Sequence, residues 1–234
     1  MNTRIYQIYY DKNSFEKLDK GFIPYDNTGK CTRYFENDVI LDIWKNKREE
    51  WINEDFVGVL SWRFFEKTKI TSLQLKTAIN TENSIYLLTP NIYLSYDASF
   101  SRLGYEQNRI ICAEMDKVNL LNFKTTDFDK NCKCFCNFFI LNPRIFNEYV
   151  STCLIKVKTY LETTNNPKVI NALKIPIRHR GMILNSAVFL MEGLFHYWLF
   201  NHKYSYKYIL PKNTTRRPAI EAFYEKNAKN IITI

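Results

Sequence analysis

Short apolar segments rich in β-branched and aromatic residues alternate with helical patterns along this chain. Ile5–Tyr10 and Phe56–Phe64 are typical of buried strands, and Ser84–Leu88 and Asn131–Asn142 are further runs of the same kind. Segments with apolar residues at helical spacing, such as Phe35–Lys47, separate them. Strands that alternate with helices predict an α/β domain whose mixed, mostly parallel sheet is flanked by helices.

The length and composition predict one domain with a substantial core. The 234 residues are 46% hydrophobic and include only 6 Gly and 7 Pro, which argues against a disordered protein. We expect a domain over residues 1–210 and a basic tail at 211–234 with a short helix near Pro218–Asn227. Ligands of such sheets bind at the carboxyl ends of strands. The candidate site is therefore expected in the loops after Tyr10, Phe64, Leu88 and Leu141.

The charge balance favours anionic partners. The chain has 33 Lys and Arg against 24 Asp and Glu, a formal net charge of +9, which suits nucleic acid, an anionic membrane or phosphorylated small molecules. The amino-terminal apolar run is too short for a signal peptide, and no segment reaches the roughly 18 apolar residues of a membrane span. We expect a cytoplasmic protein, with peripheral contact at the inner face of an anionic membrane as an open alternative.

Several widespread catalytic motifs are missing from the sequence. There is no Gly-x-Gly-x-x-Gly, no P-loop and no Gly-x-Ser-x-Gly, which argues against dinucleotide oxidoreductases, P-loop enzymes and a nucleophile elbow. With three histidines, a His-rich metal site is not expected. The net charge and the 16% of aromatic residues keep a basic nucleic-acid-binding α/β protein as an alternative function, although no usual recognition module is evident.

Polar residues accompany the apolar segments at two places far apart in the chain. The first place contains Asp26-Asn27-Thr28-Gly29, Trp44-Lys45-Asn46, and Val57-Gly58 with Trp62-Arg63. The second contains Asn137–Ile140, Phe146–Tyr149, and Glu192 within an aromatic helix. In order and spacing these motifs resemble a group of bacterial polysaccharide-assembly glycosyltransferases, and the resemblance covers most of residues 1–200.

The resemblance implies a GT-A-type nucleotide-sugar fold and a hexosyltransferase-like enzyme. Such an enzyme would move a sugar from a nucleotide-diphosphate donor to a glycan or lipid-linked acceptor in surface polysaccharide synthesis, with no nucleic acid as partner. Two features depart from the family. Glu192 is followed by Gly193 where the family usually has Arg, and a clear Asp-x-Asp metal motif is missing. A catalytically inactive glycosyltransferase-like scaffold therefore stays open as an alternative.

Glu192 is the candidate catalytic base, because an inverting transfer needs a carboxylate to take the proton of the acceptor hydroxyl. Its apolar neighbours are expected to raise its pKa by desolvation; the alternative is a structural Glu paired with a cation. The residues expected to contact the donor are Tyr6, Gln7, Asp26, Asn27, Arg63, Asp97, Asn137, Arg178, His179 and Arg180. Each has an ordinary structural alternative as a turn former, ion pair or solvated surface residue.

A divalent cation, Mg²⁺ or Mn²⁺, is a candidate cofactor. A diphosphate leaving group needs positive charge, and such a cation needs only one or two carboxylates when phosphate oxygens complete its shell. Asp127 and Asp129 are the first candidate ligands, and the lone Asp97 is another. The alternative for each is a solvated acidic surface.

Overall fold

The computed structural model describes residues 1–30, 33–88, 105–125, 137–179, 181–212 and 228–234. Its strands, in chain order, are β1 (Thr3–Tyr9), β2 (Ile23–Asp26), β3 (Phe56–Ser61), β4 (Ile85–Leu87), β5 (Phe139–Leu141), β6 (Ile177–His179), β7 (Met182–Leu184), β8 (Lys207–Leu210) and β9 (Ile231–Thr233). Within these described ranges, seven strands form one sheet in the order β2-β1-β3-β5-β4-β8-β9, and β6 and β7 form a separate hairpin. Among the strand pairs that the structure describes in the large sheet, those that involve β5 are antiparallel and the others are parallel. The expected α/β architecture with a mixed, mostly parallel sheet is confirmed.

Helices connect the strands. They are α1 (Lys12–Phe15), α2 (Glu36–Asn46), α3 (Arg48–Trp51), α4 (Phe64–Thr68), α5 (Ser72–Ala78), α6 (Tyr105–Lys117), α7 (Pro143–Tyr149), α8 (Ile155–Thr163), α9 (Pro167–Lys174) and α10 (Ser186–Asn201). A π-helical turn at Val150–Leu154 joins α7 to α8, and a 3₁₀ turn at Ala228–Asn230 precedes β9. In the described residues no helix combines the length and the apolarity needed to cross a bilayer.

Two apolar layers cover the two faces of the sheet. On the first face, Ile40 of α2 and Phe195 of α10 belong to the same buried cluster as Phe139 of β5. On the second face, Phe64 of α4 and residues of α5 pack with Phe138. Neighbouring residues at the start of β5 therefore point to opposite faces, as the alternation of side chains along an extended chain requires.

β3 lies inside the sheet and is buried at all six positions, which explains its continuous apolar sequence. Gly58 in this strand leaves room for the side chain of Ile140 on β5, because a Cβ atom at Gly58 would lie 2.3 Å from Cδ1 of Ile140 and would force that side chain to move. The predicted strand at Phe56–Phe64 extends too far, since Ser61 is its last residue and Phe64 begins α4.

Other segments differ from the sequence-based expectation. β2 and the two strands of the β6–β7 hairpin are not among the strands that the sequence predicts. The expected tail includes β9, which pairs in parallel with β8 and so belongs to the main sheet. The helix expected near Pro218–Asn227 lies outside the described residues.

Candidate functional site

The carboxyl ends of the parallel strands define one edge of the sheet, which we call the carboxyl edge. Tyr10, Asn27 and Trp62 follow the last residues of β1, β2 and β3 at this edge. β5 runs in the opposite direction, so its first residues, next to Asn137, lie at the carboxyl edge. The loop after Leu141 leaves the opposite edge. Its expected place in the site was therefore wrong, because the expectation took β5 as parallel.

Asn27 is a buried residue of the carboxyl edge, with a relative exposure of 2%. Its backbone N–H donates to the carbonyl oxygen of Tyr9 at 3.0 Å, which ties the end of β2 to the end of β1. Its side-chain Nδ2 is buried and has no hydrogen-bond acceptor among the described residues. Buried donors of this kind are rare in proteins and call for an explanation.

Asp26, the neighbour of Asn27, shapes the turn instead. Its carboxylate accepts a hydrogen bond from the backbone N–H of Thr28 at 2.8 Å. That backbone bond, and to a lesser degree the hydroxyls of Thr28 and Tyr9, hold the pKa of Asp26 below its usual value. The carboxylate is exposed at the edge and is anionic at neutral pH.

Asn137 lies where the chain enters β5, at 1% exposure. Both ends of its side-chain amide are buried without a hydrogen-bond partner in the part of the chain that the structure describes, and so is the hydroxyl of Ser61 at the end of β3. The backbone of Asn137 has φ +55°, a left-handed conformation that Asn tolerates better than most residues. Strain and unpaired polar groups thus coincide at this position, a combination found at functional sites.

The start of α2 likewise combines a buried, unpaired amide with a strained backbone. Asn37 is fully buried, and neither end of its amide has a partner in the described ranges. Phe35, directly before α2, has φ +50°, which is strained for an aromatic residue. Because α2 leaves the carboxyl end of β2 and leads to the start of β3, its first turn lies above the carboxyl edge.

Glu36, at the first position of α2, was not singled out from the sequence. Burial raises the pKa of its carboxyl group, and the Lys67 ammonium of α4 partly offsets that effect. Burial also raises the pKa of the Tyr10 hydroxyl, which the nearby carboxylates of Glu36 and Asp38 raise further. These electrostatic effects show that the first turn of α2 is near Tyr10, which follows β1, and near Lys67 of α4, which follows β3.

Gln7 and Tyr6 have structural roles within the sheet. The Gln7 amide donates to the carbonyl oxygen of Ser61 at 3.3 Å and accepts from the backbone N–H of Asp19 at 2.8 Å. The Tyr6 hydroxyl donates to Glu50 at 3.0 Å, and Glu50 also forms an ion pair with Arg4 near the start of β1. Tyr6 is therefore not brought to the carboxyl edge, while Gln7 supports that edge from within.

Arg63 lies at the carboxyl edge, two residues after β3. Its guanidinium forms an ion pair with Glu66 on α4, with Nε and Oε2 2.9 Å apart and a second, shorter contact through Nη2. The guanidinium also lies 5.7 Å from the ring centre of Trp62, and the ammonium of Lys17 lies 4.8 Å from the same ring. Lys67, on the next turn, lies 5.2 Å from the ring of Phe138.

Glu192 approaches the same edge from the first face. Phe195, one helical turn later, stacks on Phe139 with ring centres 4.0 Å apart, and Phe139 pairs with Leu87 at the end of β4. α10 then continues to β8, which starts at the opposite edge. Glu192 is half-buried. Because α10 runs from the carboxyl edge towards the opposite edge, Glu192 lies nearer than Phe195 to the edge at which Arg63 follows β3.

The remaining candidates fall into two groups, one on the β6–β7 hairpin and one outside the described residues. Arg178 is exposed on the β6–β7 hairpin, and the backbone of His179 belongs to the same strand. The candidates outside the described residues are Asp97, Asp127, Asp129 and Arg180. Within the described ranges, no three side chains of His, Cys, Asp or Glu are grouped as a metal site would need.

A surface depression of about 420 Å³ lies elsewhere, at the carboxyl end of α6. Asp116, Phe123 and Lys156 are among the residues that line it. Phe123 also contacts the ring of His202 after α10, with centroids 6.2 Å apart. Of the predicted site residues that the structure describes, none lines this depression, and its described lining residues include no buried amide without a hydrogen-bond partner.

Comparisons with known proteins complete the description. No family model matches the chain, and no curated protein matches it. Among solved structures, the apo structure of the bifunctional glycosyltransferase WbbM matches with a TM-score of 0.46 and 11% sequence identity, over 100% of this chain and 59% of that chain. This chain thus spans less than two thirds of the length of that structure. A likeness this distant carries no argument about activity.

Proposed function

We propose that the chain is a glycosyltransferase that moves a sugar from a nucleotide-diphosphate donor to a glycan or lipid-linked acceptor, with the donor bound at the carboxyl edge. The observation that carries the proposal is the set of buried side-chain amides there that lack a partner among the described residues: Asn27, Asn37 and Asn137. Amides donate and accept hydrogen bonds at once. They therefore suit the edge of a nucleobase and the hydroxyls of ribose or sugar, in a site otherwise walled by apolar residues.

The cations of the same edge suit a diphosphate. Arg63 is held in place by Glu66 and Trp62, and Lys67 projects from the next turn of the chain. Arginine binds phosphate oxygens through a planar fork of N–H donors. The transfer places negative charge on the departing diphosphate, so cations aimed at it lower the barrier to reaction.

The chemical step requires a group that accepts a proton. In an inverting transfer the acceptor hydroxyl oxygen attacks the anomeric carbon, and the bond to the diphosphate oxygen breaks with its electron pair. A carboxylate takes the hydroxyl proton. Glu192 is proposed for this role because it is a half-buried carboxylate in the half of α10 nearer the carboxyl edge. Glu36 is a second carboxyl group there, and its position favours contact with donor hydroxyls.

A divalent cation is part of the proposal only as a candidate cofactor. Mg²⁺ or Mn²⁺ would neutralise diphosphate charge when bound, and Asp127, Asp129 and Asp97 are the proposed ligands. Because these residues lie outside the described ranges, no step of the reaction is derived through a metal. Arg63 and Lys67 are cations that the described residues supply at the carboxyl edge, and Lys17 lies beside Trp62 there.

Thermal-shift titration with UDP-, GDP- and CDP-sugars, with and without Mn²⁺, tests the proposal. A donor that binds the folded protein alone raises the melting temperature by mass action. We expect one base to stabilise the protein and the others to stabilise it less. If none of the donors changes the melting temperature, the proposal is wrong.

Further measurements distinguish the proposed glycosyltransferase from two alternative functions. A nucleic-acid-binding protein, suggested by the net charge of +9, would bind oligonucleotides with an affinity that falls steeply with salt. An inactive scaffold would bind a donor without turnover. For an active enzyme, Glu192→Gln is expected to retain donor binding and to lose turnover by roughly a hundred-fold or more.

A further inference from the structure

The β6–β7 hairpin exposes apolar side chains that the core does not use. Ile183 is 69% exposed, Met182 46% and Ile175 45%. Arg178 pairs with Ile183 across the hairpin, while Ile177, the residue before Arg178, is buried and pairs with Leu184. Cross-strand partners share a face, so Arg178 and Ile183 lie together on the outward face.

The chain around this hairpin is cationic. No Asp or Glu occurs between Glu162 and Glu192, whereas four Lys or Arg residues do. Of these, Lys174 and Arg178 are exposed on the described surface beside the apolar residues. Lys168 is further away and lies 3.6 Å from the carboxylate of Glu114. Met182 pairs with His179 and so faces away from Ile183, which leaves exposed apolar side chains on both sides of the hairpin. The exposed residues Lys174, Ile175, Arg178, Met182 and Ile183, here the hairpin surface, together combine apolar and positive groups.

The hairpin surface stands next to the candidate site. Asn185 follows β7 and precedes α10, so the hairpin is attached to the end of α10 that reaches the carboxyl edge. Glu192 lies about two helical turns into α10, roughly 10 Å along its axis. A membrane in contact with the hairpin would be close to the place where the acceptor is expected.

We propose that the hairpin surface docks on an anionic lipid bilayer. Its apolar side chains would enter the boundary between headgroups and acyl chains, and its cations would contact anionic headgroups. Amphipathic elements with apolar residues and Lys or Arg bind membranes in this way, through buried apolar area plus electrostatic attraction. Three exposed apolar side chains are few for a standard protein interface, which buries about 800 Å² on each partner. The inference does not depend on a nucleotide donor.

Vesicle sedimentation tests the proposal with the full chain. Wild type is mixed with equimolar phosphatidylcholine and phosphatidylglycerol vesicles or with phosphatidylcholine alone, and bound protein is measured. We expect binding to the anionic vesicles, and a loss of about ten-fold or more in the double variant Met182→Ser, Ile183→Ser. Leu73→Ser is the matched control, because Leu73 is 75% exposed on α5; it should bind like wild type.

Charge variants and self-association complete the test. Lys174→Gln with Arg178→Gln should weaken binding by about five-fold for each lost cation, and added salt should weaken wild type in the same direction. Unchanged binding by the double serine variant, or no binding of wild type to anionic vesicles, would overturn the proposal. So would a concentration-dependent dimer that the serine variant abolishes, since a second copy of the chain would then cover the hairpin surface.

Discussion

Phe195 of α10 stacks on Phe139 of β5, with ring centres 4.0 Å apart and planes inclined by 29°. Phe64, the neighbour of Arg63, contacts Phe138 from the second face at 5.5 Å. Phe139, the first residue of β5, and Phe138, directly before it, thus anchor the helix that carries Glu192 and the helix that follows Arg63. Phe138 and Phe139 therefore fix the positions of Arg63 and Glu192 relative to the sheet, one on each face.

Replacing Phe195 by alanine should cost about 3–5 kcal/mol of unfolding free energy, because it removes a fully buried aromatic ring. The same change at Phe200, which is 41% exposed on the same helix, should cost much less. Denaturant unfolding of the two variants measures the difference. Equal losses would show that the stacked ring does not fix α10 on the sheet.

Asp19 supports the carboxyl edge from the loop between β1 and β2. Its carboxylate accepts hydrogen bonds from Gly21 N at 2.9 Å, Ser72 N at 2.8 Å and Ser72 Oγ at 2.6 Å. Burial opposes its ionisation, but these bonds outweigh burial and lower its pKa. Asp19→Ala should therefore cost about 1–3 kcal/mol at neutral pH.

The unfolding free energy lost in Asp19→Ala should be smaller at low pH. A carboxylate whose folded pKa is lowered stabilises the fold above its unfolded pKa of about 3.9, and the effect is lost as the pH falls through the folded pKa. The gap between wild type and Asp19→Ala should therefore narrow as the pH is lowered from about 5. Glu16→Ala, at an exposed residue of the same loop, is the control and should cost little at any pH.

The contribution of Glu36 to stability should have the opposite pH dependence. Because burial raises its pKa, its stabilising contribution is complete below the unfolded pKa of about 4.3 and is lost as the pH rises through the folded pKa. Glu36→Gln removes the buried charge and should raise the unfolding free energy at pH 7 by on the order of 1 kcal/mol.

The gain from Glu36→Gln should vanish below about pH 4, where the carboxyl group is protonated in both states. Glu49→Gln, at an exposed position of α3, is the isosteric control. Chemical denaturation at several pH values measures both variants. A gain of equal size at pH 3 and pH 7 would contradict the burial of an ionisable carboxyl group at the start of α2.

Asn137→Gly separates stability from binding. Glycine adopts φ +55° without strain, so the variant should unfold with an unchanged or slightly higher free energy. If the Asn137 amide contacts the donor, loss of its hydrogen bonds should weaken donor binding by about ten-fold. Calorimetric titration measures the affinity; a variant that is as stable as wild type and binds the donor equally well would exclude Asn137 from the site.

Much of the fold follows from local patterns. β1, β3 and α2 were predicted because their apolar residues recur with the period of a strand or a helix. β2 was missed because Pro24 and Asp26 look like turn residues, although Tyr25 is buried between β1 and α2. The direction of β5 could not be derived, since a short apolar run has the same pattern in parallel and antiparallel pairs.

The candidate site was only partly predictable. Asn27 and Asn137 were identified through a family resemblance, whereas Glu36 and Asn37 were not, because Glu and Asn in the first turn of a helix usually need no special explanation. Only burial and the absence of partners in the described residues distinguish Asn37. Tyr6 was selected for its place on β1, but the direction of its side chain depends on Glu50, which is distant in sequence.

The central claim is that a nucleotide-diphosphate donor binds at the carboxyl edge. Arg63 and Arg144 make a matched pair for testing it. Arg63, directly before α4, forms an ion pair with Glu66 of that helix, and Arg144 forms one with Glu148 within α7. Each guanidinium lies 5.7 Å from an aromatic ring centre. Arg63 is at the carboxyl edge, while Arg144 begins α7 at the opposite edge.

Calorimetric titration of wild type, Arg63→Gln and Arg144→Gln with the donor identified by thermal shift is the most direct measurement. We predict that Arg63→Gln weakens donor binding by about ten-fold or more, the loss expected for one charge-assisted contact to phosphate. Arg144→Gln should leave the affinity unchanged. Equal affinities for all three proteins, or a loss confined to Arg144→Gln, would contradict donor binding at the carboxyl edge.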